Sequence, residues 1–256
     1  MGRLHLFEFE DLKWFPSLLR NYMTDYLQFI SNKFDIYKPI VPILIEGLES
    51  SKTNTIIDLA SGGGGGLLKL NTHLLEQKPD LKILLTDYYP NVPAFQRTAK
   101  QAENIDFIST SVDALNVPEH LDGLRTQFLS LHHFKPQQAQ KILQNVVDSS
   151  SSIAIFEAQE RNLKSIIFML LSPLNVLLLT PFIRPFKLGR ILFTYFIPIL
   201  PLLVCWDGIV SVLRTYSIKE LNQLITKVEG YNDYIWKVDK VKSGPSYVTY
   251  LLAYKK

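Results

Sequence analysis

Five consecutive glycines, Gly62 to Gly66, lie in the segment DLASGGGGG over residues 58–66. The segment follows the apolar run TIIDL (55–59) and precedes a leucine-rich helical pattern. Glycine lets the backbone turn tightly and approach a ligand closely. Open α/β sheets bind ligands where a strand leads into its helix, so the pattern predicts a ligand-binding turn. The segment lacks the Gly-Lys-Ser/Thr ending of a P-loop, and a flexible turn without a ligand is the alternative.

Two aspartates follow the next two predicted strands. Asp87 ends KILLTD (82–87), and Asp113 follows IDFIST (105–110). A carboxylate at the end of the second strand can accept hydrogen bonds from both ribose hydroxyls of a nucleotide cofactor. This contact suits NAD as well as other nucleotides, and aspartates are also common in solvated turns. Asp87 therefore predicts a ribose contact without discriminating between cofactors.

The glycine-rich segment resembles motif I of the class I methyltransferases that use S-adenosylmethionine (SAM). In that motif an acid is followed by glycines at alternate positions. Asp58, Gly62 and Gly64 match the motif, and Ala60 replaces its first glycine. The resemblance covers residues 54–157 and 207–256.

The resemblance also implies roles for residues outside the turn. It implies that Asp58 orients the turn or the methionine amino group of SAM, and that Asp113 meets the adenine amino group. Many relatives have an aspartate at the start of the fourth strand, where this chain reads GLRTQF (123–128). The cofactor-binding residues that we expect are Asp58, Ala60, Gly62, Gly64, Asp87, Tyr88, Asp113 and Ala114.

Alternating strand and helix patterns indicate the fold that would position these residues. The predicted strands are 55–59, 82–87, 105–110, 126–132 and 151–157, followed by a hairpin of 233–241 and 246–254. This order predicts a Rossmann-like, doubly wound α/β fold with a seven-stranded, mostly parallel sheet. The antiparallel hairpin at its end favours a methyltransferase over a dehydrogenase, whose sheet is wholly parallel.

Helices are predicted from apolar residues at helical spacing. Residues 12–34 show this spacing and belong to a predicted N-terminal helical cap over residues 1–50. Pro136 opens another helix, because proline is tolerated at a helix start. Ser217 and Glu220 have the spacing of a capping box, which predicts a further helix after them.

Two adjacent histidines, His132 and His133, end the fourth predicted strand. A histidine at this edge of the sheet could accept a proton from a hydroxyl substrate, since its pKa lies near neutrality. Some O-methyltransferases have a base histidine in a similar Leu-His-His-aromatic context. Neighbouring strand residues point to opposite sides, so the two could not serve equally, and a structural role is the alternative. No acids at metal-ligand spacing accompany them, so we expect no metal site.

An apolar insertion over residues 161–206 interrupts the pattern. Residues 166–183 and 191–206 contain no charge, and prolines interrupt both runs, which argues against a membrane-spanning hairpin. We expect a lid that covers the active site and dips into one membrane leaflet, with its basic residues among anionic head groups. A soluble lid or a homodimer interface is the alternative. The insertion carries no acid, and its basic residues are Arg161, Lys164, Arg184, Lys187 and Arg190.

Four polar or aromatic residues of interest begin at the last residue of the insertion. Trp206, Arg214 and Tyr216 are predicted to contact the methyl acceptor, and Asp207 is a candidate catalytic residue. An ion pair that anchors the lid is the alternative for Asp207 and Arg214.

Composition limits the remaining possibilities. The chain has 256 residues and a net charge of +3, without a basic cluster outside the insertion, which argues against nucleic-acid binding. The single cysteine, Cys205, excludes an internal disulfide. The N-terminus lacks the apolar core of a signal peptide. We expect a cytoplasmic enzyme, peripheral at the membrane.

The predicted activity is SAM-dependent methyl transfer to an apolar or membrane-associated small molecule. The methyl could pass to oxygen, nitrogen or carbon. An NAD-dependent oxidoreductase and a non-catalytic, membrane-associated protein that binds SAM or another nucleotide are the alternatives.

Overall fold

Seven strands form one sheet in the computed structural model, which describes residues 1–256. The strands are β1 (Thr55–Asp58), β2 (Lys82–Leu85), β3 (Ile105–Phe107), β4 (Leu124–Phe128), β5 (Ser152–Glu157), β6 (Tyr234–Ser243) and β7 (Ser246–Lys255). Their order across the sheet is β3-β2-β1-β4-β5-β7-β6. Strand β7 is antiparallel to both β5 and β6, and the other pairs are parallel. The predicted doubly wound sheet with a C-terminal antiparallel hairpin is confirmed.

Ten α-helices accompany the sheet. They are α1 (Ser17–Lys33), α2 (Val41–Ser50), α3 (Leu67–Leu75), α4 (Val92–Ala99), α5 (Pro136–Asp148), α6 (Leu163–Leu170), α7 (Ser172–Leu179), α8 (Leu188–Ile191), α9 (Ile199–Arg214) and α10 (Ile218–Ile225). Helix α1 begins after Pro16 rather than at residue 12, because Pro16 has a non-helical ψ of 124° and the residues before it form turns. The capping box of Ser217 and Glu220 at the start of α10 is confirmed.

Two apolar cores lie on opposite faces of the sheet. Strand β5 is buried along its whole length and contributes to both. Its residues Ile153 and Ile155 pack with α5 and α10, whereas Ala154 and Phe156 pack with α2, α3 and α4. Successive strand side chains point to opposite faces, which explains why this strand is a continuous apolar run.

The apolar insertion packs on α1 and forms a third core. Tyr22 and Met23 of α1 contact the insertion side chains Val176 and Leu200 there. Burying these side chains removes apolar surface from water, which is the main favourable contribution to packing. The insertion is therefore held by the N-terminal helix.

A buried carboxylate also fastens the insertion to α1. Asp25 pairs with Lys187 at 2.6 Å and with Arg190 at 2.8 Å, and it also contacts Arg97 of α4 at 3.1 Å. Arg190 is almost fully buried, so it cannot reach lipid head groups. The expectation that the basic residues of the insertion lie among lipid head groups is therefore wrong for Lys187 and Arg190, which pair with Asp25 instead. Of the three basic residues between the two uncharged runs, Arg184, Lys187 and Arg190, only Arg184 is exposed.

The fourth strand ends earlier than predicted. It stops at Phe128, and Leu129 has a left-handed backbone with a φ of 49°. The following residues form a 3-10 turn, Leu131–His133, instead of continuing the strand. The prediction that the two histidines point to opposite sides is wrong for this reason: their rings lie 4.4 Å apart, centroid to centroid.

Candidate active site

The glycine-rich turn after β1 has left-handed backbone at several positions. Ala60 has a φ of 57°, so it keeps the conformation that favours glycine although it is alanine. At Gly64, with a φ of 91°, an added Cβ would lie 3.0 Å from the Thr98 hydroxyl. Asn32 of α1 clamps the turn by donating to the Gly65 carbonyl at 2.9 Å. The turn is thus rigidly shaped and lies under α1.

Asp87 lies beside the glycine turn. Its Oδ2 accepts the Gly62 N–H at 2.7 Å, and its Oδ1 accepts the Tyr89 N–H at 2.7 Å. A carboxylate has about four lone-pair sites, so each oxygen can accept a further hydrogen bond from a ribose hydroxyl. Tyr88, next in the chain, has an exposed ring that packs edge-on against Tyr89. This arrangement fits the ribose of a nucleoside cofactor.

Asp58 is buried beneath the same turn. Its Oδ1 accepts the Thr126 hydroxyl at 2.7 Å. Burial raises the pKa of Asp58 to about 7, although hydrogen bonds from Ser61 and Thr126 oppose the increase. The structure therefore places Asp58 where it holds β1 to β4 below the turn.

Asp113 completes the cluster that was predicted for the cofactor. Its Oδ1 accepts the Leu115 N–H at 2.9 Å within its own turn, and Ala114 beside it is buried. The backbone N–H of Val112 donates to the Asp87 carbonyl at 2.9 Å, which ties this turn to the end of β2. The structure thus brings the predicted cofactor residues to one edge of the sheet.

His132 is buried and held by a glutamate that the sequence analysis missed. Glu157 ends β5, and its two oxygens contact the His132 Nδ1 at 2.8 Å and the His132 backbone N–H at 3.0 Å. A carboxylate on Nδ1 favours the tautomer in which Nε2 is free to accept a proton. The signal in the sequence was an acid at the end of the fifth strand, next to the end of the fourth.

His133 contacts two other carboxylates from the N-terminal segment. Its Nδ1 lies 2.8 Å from Asp11 Oδ1 and 3.4 Å from Glu8 Oε2. Burial alone would lower the pKa of His133, but the negative charges of Glu8 and Asp11 outweigh it and raise the pKa to about 10. His133 is therefore a charged anchor at neutral pH.

Glu8 also faces the other histidine. Its Oε1 is buried without a hydrogen-bond partner and lies 3.9 Å from Nε2 of His132. Ligand atoms of Glu8, His132 and His133 lie within 4.8 Å of one another, so the expectation that no acid accompanies the histidines is wrong. Arg214 already supplies a cation 3.1 Å from Glu8, and we assign the cluster to ion pairing.

Residues 3–11, which we call the N-terminal strap, lie against helix α9 and end in a 3-10 turn, Phe9–Asp11. Asp207 accepts the backbone N–H groups of Phe9 and Glu10 at 2.9 and 3.2 Å. Arg214 donates to the Leu6 carbonyl and pairs with Asp11 at 2.6 Å. The candidate catalytic residue Asp207 and the predicted substrate-binding residue Arg214 are thus both bonded to the strap.

The two aromatic residues that were predicted to contact the methyl acceptor, Trp206 and Tyr216, also donate hydrogen bonds to backbone carbonyls. The Trp206 indole N–H donates to the Phe7 carbonyl at 3.1 Å. Tyr216 is buried, and its hydroxyl donates to the Phe134 carbonyl at 2.7 Å. Only Trp206 keeps an exposed ring, so it alone of the two is free to touch a ligand.

Comparison with known proteins identifies the fold. No family model matches the sequence, and no curated protein does. Among solved structures, the mitomycin 7-O-methyltransferase MmcR superposes with a TM-score of 0.56 at 14% identity, over 98% of this chain and 61% of that chain. An O-methyltransferase family protein from Burkholderia thailandensis gives 0.52 at 15% identity, over 93% and 59%. PigF with SAH gives 0.50 at 18% identity, over 96% and 63%.

These similarities define the class of fold. The chain has the Rossmann-like fold of the class I SAM-dependent methyltransferases, with the strand order and the antiparallel hairpin described above. It spans between 59% and 63% of the length of these three proteins.

Proposed function

We propose that the protein is a SAM-dependent methyltransferase that acts on a hydroxyl group of an apolar acceptor. The observation that carries this proposal is a buried histidine with a free Nε2 and a carboxylate-held Nδ1, close to the sheet edge that fits SAM. The similar structures named above include the mitomycin 7-O-methyltransferase MmcR and an O-methyltransferase family protein. A base is most useful where the acceptor must lose a hydroxyl proton, which favours oxygen over carbon.

The chain's own residues would divide the work as follows. Asp87 would bind the ribose, and the glycine turn would let the cofactor lie against the backbone. When bound, the cofactor would supply an activated methyl group, and Nε2 of His132 would accept the proton that the acceptor hydroxyl loses. Glu157 would hold the imidazole in place and stabilise the positive charge that it gains. Much of the rate would come from alignment of the two reactants.

The acceptor's polar group has a defined position in this proposal. Glu8 Oε1 and His132 Nε2 face each other across 3.9 Å, and Oε1 is also ion-paired with Arg214 at 3.1 Å. A carboxylate oxygen has more than one lone-pair site, so Glu8 Oε1 can keep its ion pair with Arg214 and still accept a hydrogen bond from a further polar group of the acceptor. The strap thus contributes Glu8 to the acceptor side of the site.

We also propose that the protein works at a membrane surface from the cytoplasm. Large apolar side chains between Leu163 and Leu202 form an exposed apolar face; Leu178, Leu188 and Phe196 are 69%, 78% and 77% exposed. Contiguous apolar patches of this kind mark lipid or protein contacts. No single helix is long and apolar enough to cross a membrane, whereas two helix pairs bent by 42° and 81° pass that test together. Bent apolar pairs suit insertion into one leaflet.

Calorimetry with SAM and S-adenosylhomocysteine tests the cofactor. We expect micromolar binding that weakens at least about tenfold in Asp87→Ala, because the ribose would lose charge-assisted hydrogen bonds. Asp80→Ala, at an exposed aspartate in the turn before β2, is the matched control and should bind normally. Failure of the folded wild-type protein to bind either compound would overturn the proposal.

Flotation with anionic liposomes tests the membrane contact. The wild type should float, and Leu174→Glu with Leu178→Glu should stay in the dense fraction, because burying carboxylates in lipid is costly. Phe34→Glu, at an exposed aromatic residue at the end of α1, is the control and should float. A wild type that does not float but has the mass of a dimer in solution would instead assign the apolar face to a second copy of the chain.

A further inference from the structure

An open groove of about 780 Å³ lies between the N-terminal strap, the start of α1 and one side of α9. Eleven of its twelve lining residues are hydrophobic, and none of the twelve is charged. The volume falls within the range of about 300–1,000 Å³ that is usual for small-ligand sites. A site without polar partners suits a hydrocarbon, because a polar ligand would lose its hydrogen bonds to water there.

The strap forms the wall between this groove and the histidine pair. Phe7 and Phe9 line the groove, whereas Glu8 between them is buried against His132 and His133. This alternation is that of an extended chain, whose successive side chains point to opposite sides. The apolar groove and the proposed acceptor position are thus separated by the thickness of one backbone.

The mouth of the groove is continuous with the apolar face. Ile199 and Leu202 belong to both, and Leu202 is 64% exposed. Trp206 lines the groove and ties the strap to α9 through the Phe7 carbonyl. A hydrocarbon chain that leaves a bilayer at the apolar face would therefore enter the groove without crossing water, which keeps its apolar surface buried.

We propose that this groove binds the hydrocarbon tail of the methyl acceptor, which is an amphiphile with an alkyl or isoprenoid chain and a hydroxyl-bearing head. The tail lies on Phe7 and Phe9, and the head reaches the other side of the strap, where Glu8 and His132 face each other. The role of the hydroxyl-bearing head as the methyl acceptor rests on the proposed function. Tail binding is a property of the groove and can be measured without SAM and without turnover.

Tryptophan fluorescence provides the test, because two of the three tryptophans, Trp14 and Trp206, line the groove. The third, Trp236, lies in β6 and is removed as Trp236→Phe. A long-chain fatty acid brominated in the middle of its chain is the probe, used below its micelle concentration and without lipid. We expect saturable quenching, because a bound bromine atom would lie against the indole rings.

Matched charge substitutions separate the groove from the rest of the apolar face. Leu202→Glu, at the mouth of the groove, should weaken the quenching affinity at least about tenfold, because a carboxylate would be desolvated by the tail. Leu178→Glu is similarly exposed, lies outside the groove and should leave the affinity unchanged. Unsaturable quenching, or equal losses in both variants, would overturn the inference. SAM calorimetry on the same proteins shows separately whether the proposed function stands.

Discussion

The two ends of the candidate site are built in different ways. At the cofactor end, the glycine turn, Asp87 and Asp113 follow consecutive strands of one sheet. The Gly62 N–H donates to the Asp87 carboxylate, and the Val112 N–H donates to the Asp87 carbonyl. At the acceptor end, Glu8 meets His132 and Arg214 from distant parts of the chain. The cofactor end is thus built from consecutive strand ends, whereas the acceptor end is held together by side-chain ion pairs between residues far apart in the sequence.

This difference explains why the two ends should respond differently to substitution. Backbone hydrogen bonds of the cofactor end survive most side-chain changes, because the sheet fixes them. The strap depends on a few charged side chains, which are costly to leave unpaired when buried. We therefore expect single substitutions to release the acceptor end while the cofactor end stays folded, and the following predictions test that separation.

The largest effect is expected at Asp25, the carboxylate that fastens the insertion to α1. Asp25→Ala should lower the free energy of unfolding by about 3–5 kcal/mol, because it leaves the buried Arg190 without its partner. Glu49→Ala breaks an exposed pair with Lys78 at 3.3 Å and should cost under about 1 kcal/mol. Denaturant unfolding measures both, and equal losses would show that Asp25 does not fasten the insertion.

Arg214→Met should release the strap and leave the rest folded. The variant loses the hydrogen bond to the Leu6 carbonyl and the ion pair with Asp11, each worth about 1.5–3 kcal/mol as a charged hydrogen bond. Trypsin should then cut at Lys13 at least about tenfold faster, while SAM affinity stays the same. Lys237→Met, on β6, breaks an ion pair with Glu46 of α2 and is the control. Unchanged cleavage would mean that Arg214 does not hold the strap.

Alanine substitutions at two neighbouring glycines separate the effect of backbone strain from that of steric crowding by the added Cβ at the cofactor end. Alanine at either Gly64 or Gly65 costs about 1–2 kcal/mol for its left-handed backbone. At Gly64 the added Cβ also meets Thr98 at 3.0 Å, whereas Gly65 has no atom within 4 Å. Gly64→Ala should therefore weaken SAM binding several-fold more than Gly65→Ala. The opposite order in calorimetry would contradict this geometry of the turn.

The acceptor end should also show a pH dependence of stability. The pKa of His133 is raised to about 10, above its ordinary value of 6.5, so its stabilisation is complete below pH 6.5 and is lost as the pH rises through 10. Burial also raises the pKa of Glu10 to about 8, which gives a slope of the same sign. The melting temperature should fall over this range, and by less in His133→Asn. Identical slopes in both proteins would exclude His133 as the cause.

Much of the cofactor end could be predicted from the sequence. Glycine at the turn, an acid after the second strand and apolar strand runs report local backbone requirements, and the neighbouring strands bring them together. The ends of elements were less accurate: the left-handed Leu129 ended β4 early, and nothing in the apolar pattern indicated it. Glu157 was missed because a strand-end acid has no distinct pattern of its own.

The sequence by itself determined the doubly wound sheet, the glycine turn and the position of Asp87, because these follow from residue type and short-range periodicity. Only the tertiary structure decided that Glu8 faces His132, that Asp207 and Arg214 hold the strap, and that Asp25 pairs with Lys187 and Arg190. These pairs join residues far apart in the chain. Charge pairing carries no sequence periodicity, so its partners become evident only when packing brings them together.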